Sequence, residues 1–123
     1  MAGTNTKSLL LLIRHSPYGS SLARASIDVA LAAAAFDQAV SLLFVGDGVL
    51  QLLPEHQTEQ QGVRNLGKLL ASLPLYDIEQ VYVDAQGAAR HQLDLNTTVV
   101  TAKALDSEAM SRLLLTHDHL LGF

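Results

Sequence analysis

AVSLLFVGDGVLQLLP, residues Ala39 to Pro54, decides how the chain is read. Ala39 to Val45 is a short, almost uninterrupted apolar run, the mark of a strand covered on both faces. Gly46-Asp47-Gly48 ends it as a turn. A second apolar segment, Val49 to Leu53, follows at once and is closed by Pro54. A glycine turn directly after a buried strand raises phosphate binding as a possibility. The stretch lacks the third glycine of G-x-G-x-x-G and the G-K-[ST] ending of a P-loop, and Asp47 would repel a phosphate. It therefore reads as a turn that presents Val49, Leu50, Leu52 and Leu53 either to the domain's own core or to a partner chain.

Outward from this stretch, strand-like and helix-like segments alternate. Ser8 to Ile13 is another continuous apolar run, ended by Arg14 and His15. Pro17 and Gly19 punctuate the loop that follows. Ser20 or Ser21 caps a helix reaching about Phe36, with apolar side chains nearly all the way round, so it is buried on more than one side. Thr58 opens a further helix, with Gln61 as its capping-box partner and Val63, Leu66, Leu70 and Leu73 at helical spacing. Ile78 to Val83 alternates as a third strand. Asp84 to His91 is a turn or short helix, and Thr97 to Thr101 (TTVVT) reads as a fourth strand. Asp106 caps a helix ending near Leu115, and Asp118 to Phe123 is a short last strand. Strands alternating with helices predict an α/β fold, a three-layer flavodoxin-like arrangement with a parallel five-stranded sheet and helices on both faces.

The 123 residues suit a single domain spanning 1–123, with the polar stretch 1–6 read as a frayed, disordered end. No apolar run approaches the roughly 20 residues of a membrane span. Leu9 to Ile13 is too short for a signal-peptide core, so the expected location is cytoplasmic with no membrane partner. A net charge of −4 with no basic run argues against direct nucleic-acid binding. Charged residues make up 16% of the chain, against a usual value of about 25%. That shortage points to surface covered by other subunits.

The chain has no cysteine, which removes disulfides, thiolate metal sites and any thiol nucleophile. No cofactor is called for. His15, Ser16 and Asp47 could be imagined as a triad, but Ser16 precedes a proline and lies in no G-x-S-x-G; they read as a polar loop. His117 and His119 are two donors, which do not make a metal site, and His117 suits a helix C-terminus without one. His56 and His91 fall in polar turns and are expected to face solvent. In a doubly wound sheet, ligands gather at the carboxyl edge. Three loops share that rim: His15 to Ser20, Gly46 to Gly48, and Asp84 to Gly87. Tyr18, Leu75 and Tyr76 join the Val49–Leu53 segment as candidate interface residues, since tyrosine buries a ring and keeps a polar tip.

Four stretches together resemble the DsrE/DsrF-like (DsrEFH) sulfur-relay family. They are the opening strand with Ser16-Pro17-Tyr18-Gly19, Phe44 to Pro54, Leu75-Tyr76-Asp77-Ile78-Glu79-Gln80, and Asp118 to Phe123. The resemblance covers nearly the whole chain from Ser8 onward. It implies the same five-stranded parallel sheet, and a place in a TusBCD-type heterohexamer with TusB-like and TusD-like partners. Such a complex passes persulfide sulfur toward a TusE-like carrier, and from there to 2-thiouridine at the tRNA wobble position. A DsrF-like subunit of a DsrEFH complex in sulfur oxidation is the alternative within the family. A free-standing module binding a nucleotide or metabolite is the alternative outside it. The family's sulfur-carrying cysteine stands just after the third strand, a place that Asp84 approximately occupies here. The resemblance therefore implies a non-catalytic, structural subunit. Whether Asp84 or Arg90 tunes a partner's thiol depends on distances that sequence does not give.

Overall fold

The computed structural model describes residues 7–18, 21–54 and 61–123, with the side chains of 61–64 left aside. Residues 1–6, Gly19, Ser20, His56 and the expected cap Thr58 lie outside the described residues. The order is β1 (Ser8–Ile13), α1 (Leu22–Ala35), β2 (Ala39–Phe44), a 3-10 segment (Gly46–Leu52), α2 (Gln61–Ala71), a second 3-10 turn (Leu73–Tyr76), β3 (Gln80–Asp84), α3 (Ala85–Arg90), β4 (Lys103–Leu105), α4 (Ser107–Leu115) and β5 (His119–Gly122). The strands form one five-stranded sheet in the order β4-β3-β2-β1-β5, with every neighbouring pair parallel.

This order fixes where the helices lie. β1 to β4 step in one direction across the sheet, and right-handed crossovers then place α1, α2 and α3 on one face. The return from β4 to β5 steps the other way and puts α4 on the opposite face. Side-chain burial agrees. Leu9, Leu11, Ile13, Val40, Leu42, Phe44, Val81 and Val83 share one cluster with Ala23, Ile27 and Ala30 of α1, Leu66 and Leu70 of α2, and Ala88 of α3. The alternate residues Leu10 and Leu43 point the other way and are also buried, as the period of two in a strand requires. α4 crosses that second face but buries none of its own residues. The His117 ring anchors its end: one nitrogen lies 2.9 Å from the Leu113 carbonyl and the other 2.9 Å from the Ser41 hydroxyl of β2.

Asp106 caps α4 as its sequence position implies, its carboxylate accepting from the Ala109 N–H at 2.8 Å. Ser21 stands at the N-cap of α1 but makes no side-chain capping bond. The fourth strand is not where the alternation placed it. Thr97 to Thr101 is irregular, and β4 is the three-residue Lys103–Leu105. Local turn chemistry wins there: Asp94 accepts from the Asn96 N–H through its side chain and from the Thr97 N–H through its carbonyl. The Thr98 hydroxyl bonds the Val100 carbonyl, and the Val99 N–H reaches the Leu52 carbonyl. Val99 thus docks through its backbone on the 3-10 segment rather than on a strand, and Val100 is buried in the core. β3 also starts later than the alternation suggests, because Asp77 turns left-handed (φ 63°) and Ile78 is drawn into the core by its N–H bond to Leu73.

Candidate functional site

The loops at the carboxyl ends of β1, β2 and β3 meet at one rim. Val45 continues the ladder by donating its N–H to the Ile13 carbonyl at 3.0 Å. Gly46 then takes φ 53°, a left-handed conformation that glycine adopts without the steric cost a side chain would bring. Gly48 has a different reason to be glycine: a Cβ there would stand 2.1 Å from the Ile13 carbonyl oxygen, a backbone atom that cannot step aside. With the chain reversed so tightly, Val49 and Leu52 fall on the sheet and are fully buried. This corrects part of the interface expected from sequence: Val49 and Leu52 belong to the chain's own core. Leu50 and Leu53 are half-buried, and Tyr18, Tyr76 and Leu75 are exposed, Leu75 at 84%.

Three polar groups line this rim. Gln51 is buried and donates its amide to the His15 carbonyl at 2.9 Å, holding the start of the loop after β1. Its Oε1 is buried with no partner among the described residues, an arrangement that costs about 1–3 kcal/mol where it persists. Asp84 closes β3 and caps α3, its carboxylate accepting from the Gln86 N–H at 3.1 Å. α3 packs tightly below it, since a Cβ on Gly87 would lie 3.1 Å from the Val49 methyl and 3.3 Å from the Asp84 carboxylate. His91 follows α3 and places Nε2 3.7 Å from the Asp47 carboxylate, an ion pair when the ring is protonated. Its side chain is 22% exposed, so the expectation that it simply faces solvent is corrected.

The other suggested constellations do not assemble. The Ser16 hydroxyl is engaged with the backbone of Tyr18, and Asp47 faces His91, so the triad of His15, Ser16 and Asp47 is not formed. Both ring nitrogens of His117 are taken by Leu113 and Ser41, while His119 sits on β5 against Leu9. Among the described residues no group of three or more His, Asp or Glu is placed to hold a metal ion. No helix among them is long and apolar enough to cross a membrane.

Residues 7–123 match the DsrE/DsrF-like family. The chain belongs to that family. Two relatives are each named "Protein TusC homolog". One, from Pseudomonas aeruginosa, is 32% identical over 116 residues, covering 94% of this chain and 98% of the relative. The other, from Vibrio parahaemolyticus, is 35% identical over 115 residues with the same coverage of both chains. The crystal structure of the ychN protein from E. coli superposes with a TM-score of 0.82 at 18% identity, over 96% of this chain and all of the other. The DsrE/DsrF-like fold is thus shared well beyond sequence likeness.

Some exposed apolar residues drew no attention in the sequence. Phe36 is 83% exposed, Leu115 is 85% exposed, and Leu120 and Leu121 of β5 are also open. Leu121 could have been found from the alternation of the last strand, but its exposure depends on β5 being an edge, which only the topology reveals.

Proposed function

We propose that this DsrE/DsrF-like chain is a non-catalytic, TusC-type subunit of a TusBCD-type sulfur-relay complex that serves 2-thiouridine formation at the tRNA wobble position. One observation carries the reading: Asp84 stands at the end of β3 and at the N-cap of α3, near where the family's carrier cysteine stands. A thiol there would gain acidity from the helix N-terminus. A carboxylate fills the same capping role and cannot hold a persulfide sulfur. No other residue can, since the chain has no cysteine and thiol–disulfide exchange requires a thiolate. The TusC names of the relatives support this branch of the family over a sulfur-oxidation role.

In this reading the chain acts by shaping an assembly. TusB-like and TusD-like subunits cover the exposed Tyr18, Leu75 and Tyr76 with half-buried Leu50 and Leu53, and sulfur passes on their thiols to a TusE-like carrier. The complex works in the cytoplasm and makes no direct contact with nucleic acid. Co-expression with TusB-like and TusD-like proteins tests it. The expected result is one co-eluting complex in which persulfide label never appears on this chain. A stable monomer that ignores both partners would overturn the reading.

A further inference from the structure

The fourth strand that the sequence suggested and the structure does not form leaves a gap at one side of the sheet. β4 pairs with β3 only from Tyr82 onward, with Tyr82 opposite Lys103. Before that point Gln80 and Val81 pair with Ser41 and Leu42 of β2 and, among the described residues, meet no strand on the other side. Val100 and Thr101 run past as irregular chain. A cavity of about 400 Å3 opens at this gap, lined by Pro74, Ile78, Glu79, Val81, Val100 and Thr101. That volume falls within the roughly 300–1,000 Å3 of small-ligand pockets, and it is more than one side chain reaching in from a partner would fill.

The lining is divided by polarity. Ile78, Val81 and Val100 are buried members of the main core and give the cavity an aliphatic floor. Glu79 and Thr101 are exposed and stand at its mouth. Glu79 is the one charged residue of the lining, and it takes part in none of the ion pairs among the described residues. A carboxylate in that position disfavours an anion. An aliphatic floor cannot replace the hydration of a bare ion. A cation joined to an apolar stem suits both halves, the division that lysine itself shows when its stem lies on apolar surface and its head stays in water.

We propose that this cavity binds a small primary amine with a short apolar tail. The tail lies on Ile78, Val81 and Val100. The ammonium stays at the mouth, where it donates to the Glu79 carboxylate and to the Thr101 hydroxyl. None of the lining residues belongs to the candidate interface, so the site stands apart from the assembly proposed above.

Hexylammonium is the probe, titrated into the full-length chain at neutral pH and followed by NMR. It should shift the methyl signals of Val81 and Val100 with a dissociation constant of about a millimolar. 1-Hexanol carries the same tail without the charge. It should bind about threefold to fivefold more weakly, the worth of an exposed ion pair. In Glu79→Gln, which alters an exposed side chain and is checked for folding by circular dichroism, hexylammonium should fall to the level of hexanol while hexanol keeps its own affinity. The groove of about 460 Å3 beside α1 is the internal control, since Leu9, Val29 and Phe36 line it and no carboxylate does. Shifts as large at Leu9 and Val29 as at Val81 and Val100 would overturn the site. So would equal affinity for the two probes, or an unchanged affinity for hexylammonium in the folded Glu79→Gln chain.

Discussion

Leu42 and Leu43 are adjacent in β2, both are almost wholly enclosed, and they point to opposite faces of the sheet. Leu42 lies under α1, α2 and the 3-10 segment, inside a cluster that joins three strands to three helices. Leu43 lies on the face that, among the described residues, α4 alone crosses, a helix with no buried residue of its own. The difference teaches that burial of a single side chain does not measure how well its surroundings are fixed. A packed three-helix cover cannot collapse into a void, whereas a lone helix held by a cap and one histidine can shift.

This comparison can be broken by truncation at the two positions. Leu→Ala in a core costs about 2–5 kcal/mol, depending on how far the site relaxes. Leu42→Ala should fall near the top of that range and Leu43→Ala near the bottom, as read from urea unfolding midpoints at unchanged slope. Equal losses would show the two faces to be equally rigid. A smaller effect sharpens the point: Asp106→Ala removes the cap of α4 and should cost about 1 kcal/mol. It should also raise hydrogen exchange in α4 and leave α1 unchanged. If α1 loosens equally, the two covers are coupled.

The smallest effect concerns the clasp at the amino end of the sheet. Asp118 accepts from the Ser8 N–H at 2.9 Å and from its hydroxyl at 3.1 Å, and the Asp118 N–H donates back to that hydroxyl at 3.0 Å. The Ser8 N–H first, then the hydroxyl, hold the Asp118 carboxyl below the usual aspartate range. A lowered folded-state value means that the stabilisation is complete above the unfolded pKa of about 3.9 and is lost as pH falls through the folded value. The difference in unfolding midpoint between the parent chain and Ser8→Ala should thus be constant from pH 7 to about pH 5 and shrink below about pH 4. A difference that grows on acidification would contradict the clasp.

Much of the fold was legible because β1 and β2 carry apolar runs that only buried parallel strands accommodate; α1, expected to be buried on more than one side, instead buries one face, Ala23, Ser26, Ile27 and Ala30. α4 announced itself through Asp106. β4 was not legible: three residues are too few to show a period, and the more strand-like TTVVT beside it is bent by Asp94 into turns. At the site, Gly46 and Gly48 marked the reversal after β2, but sequence left open which way Val49 to Leu53 would turn. The burial of Val49 and Leu52 follows from Gly48 lying against the Ile13 carbonyl, a contact between segments 35 residues apart in the chain. The exposed edge at Leu120 and Leu121 was hidden for the same reason, since an edge is a property of strand order.

That strand order also governs how the molecule is made. β1 is made well before its second neighbour, since the Ser8–Asp118 clasp joins residues separated by 110 positions. Until β5 is made, at about 5–20 residues per second, one flank of a strand that is aliphatic from Leu9 to Ile13 has no native occupant. The nascent chain is then most in need of shielding on that side, and a truncation before His119 would leave the need permanent.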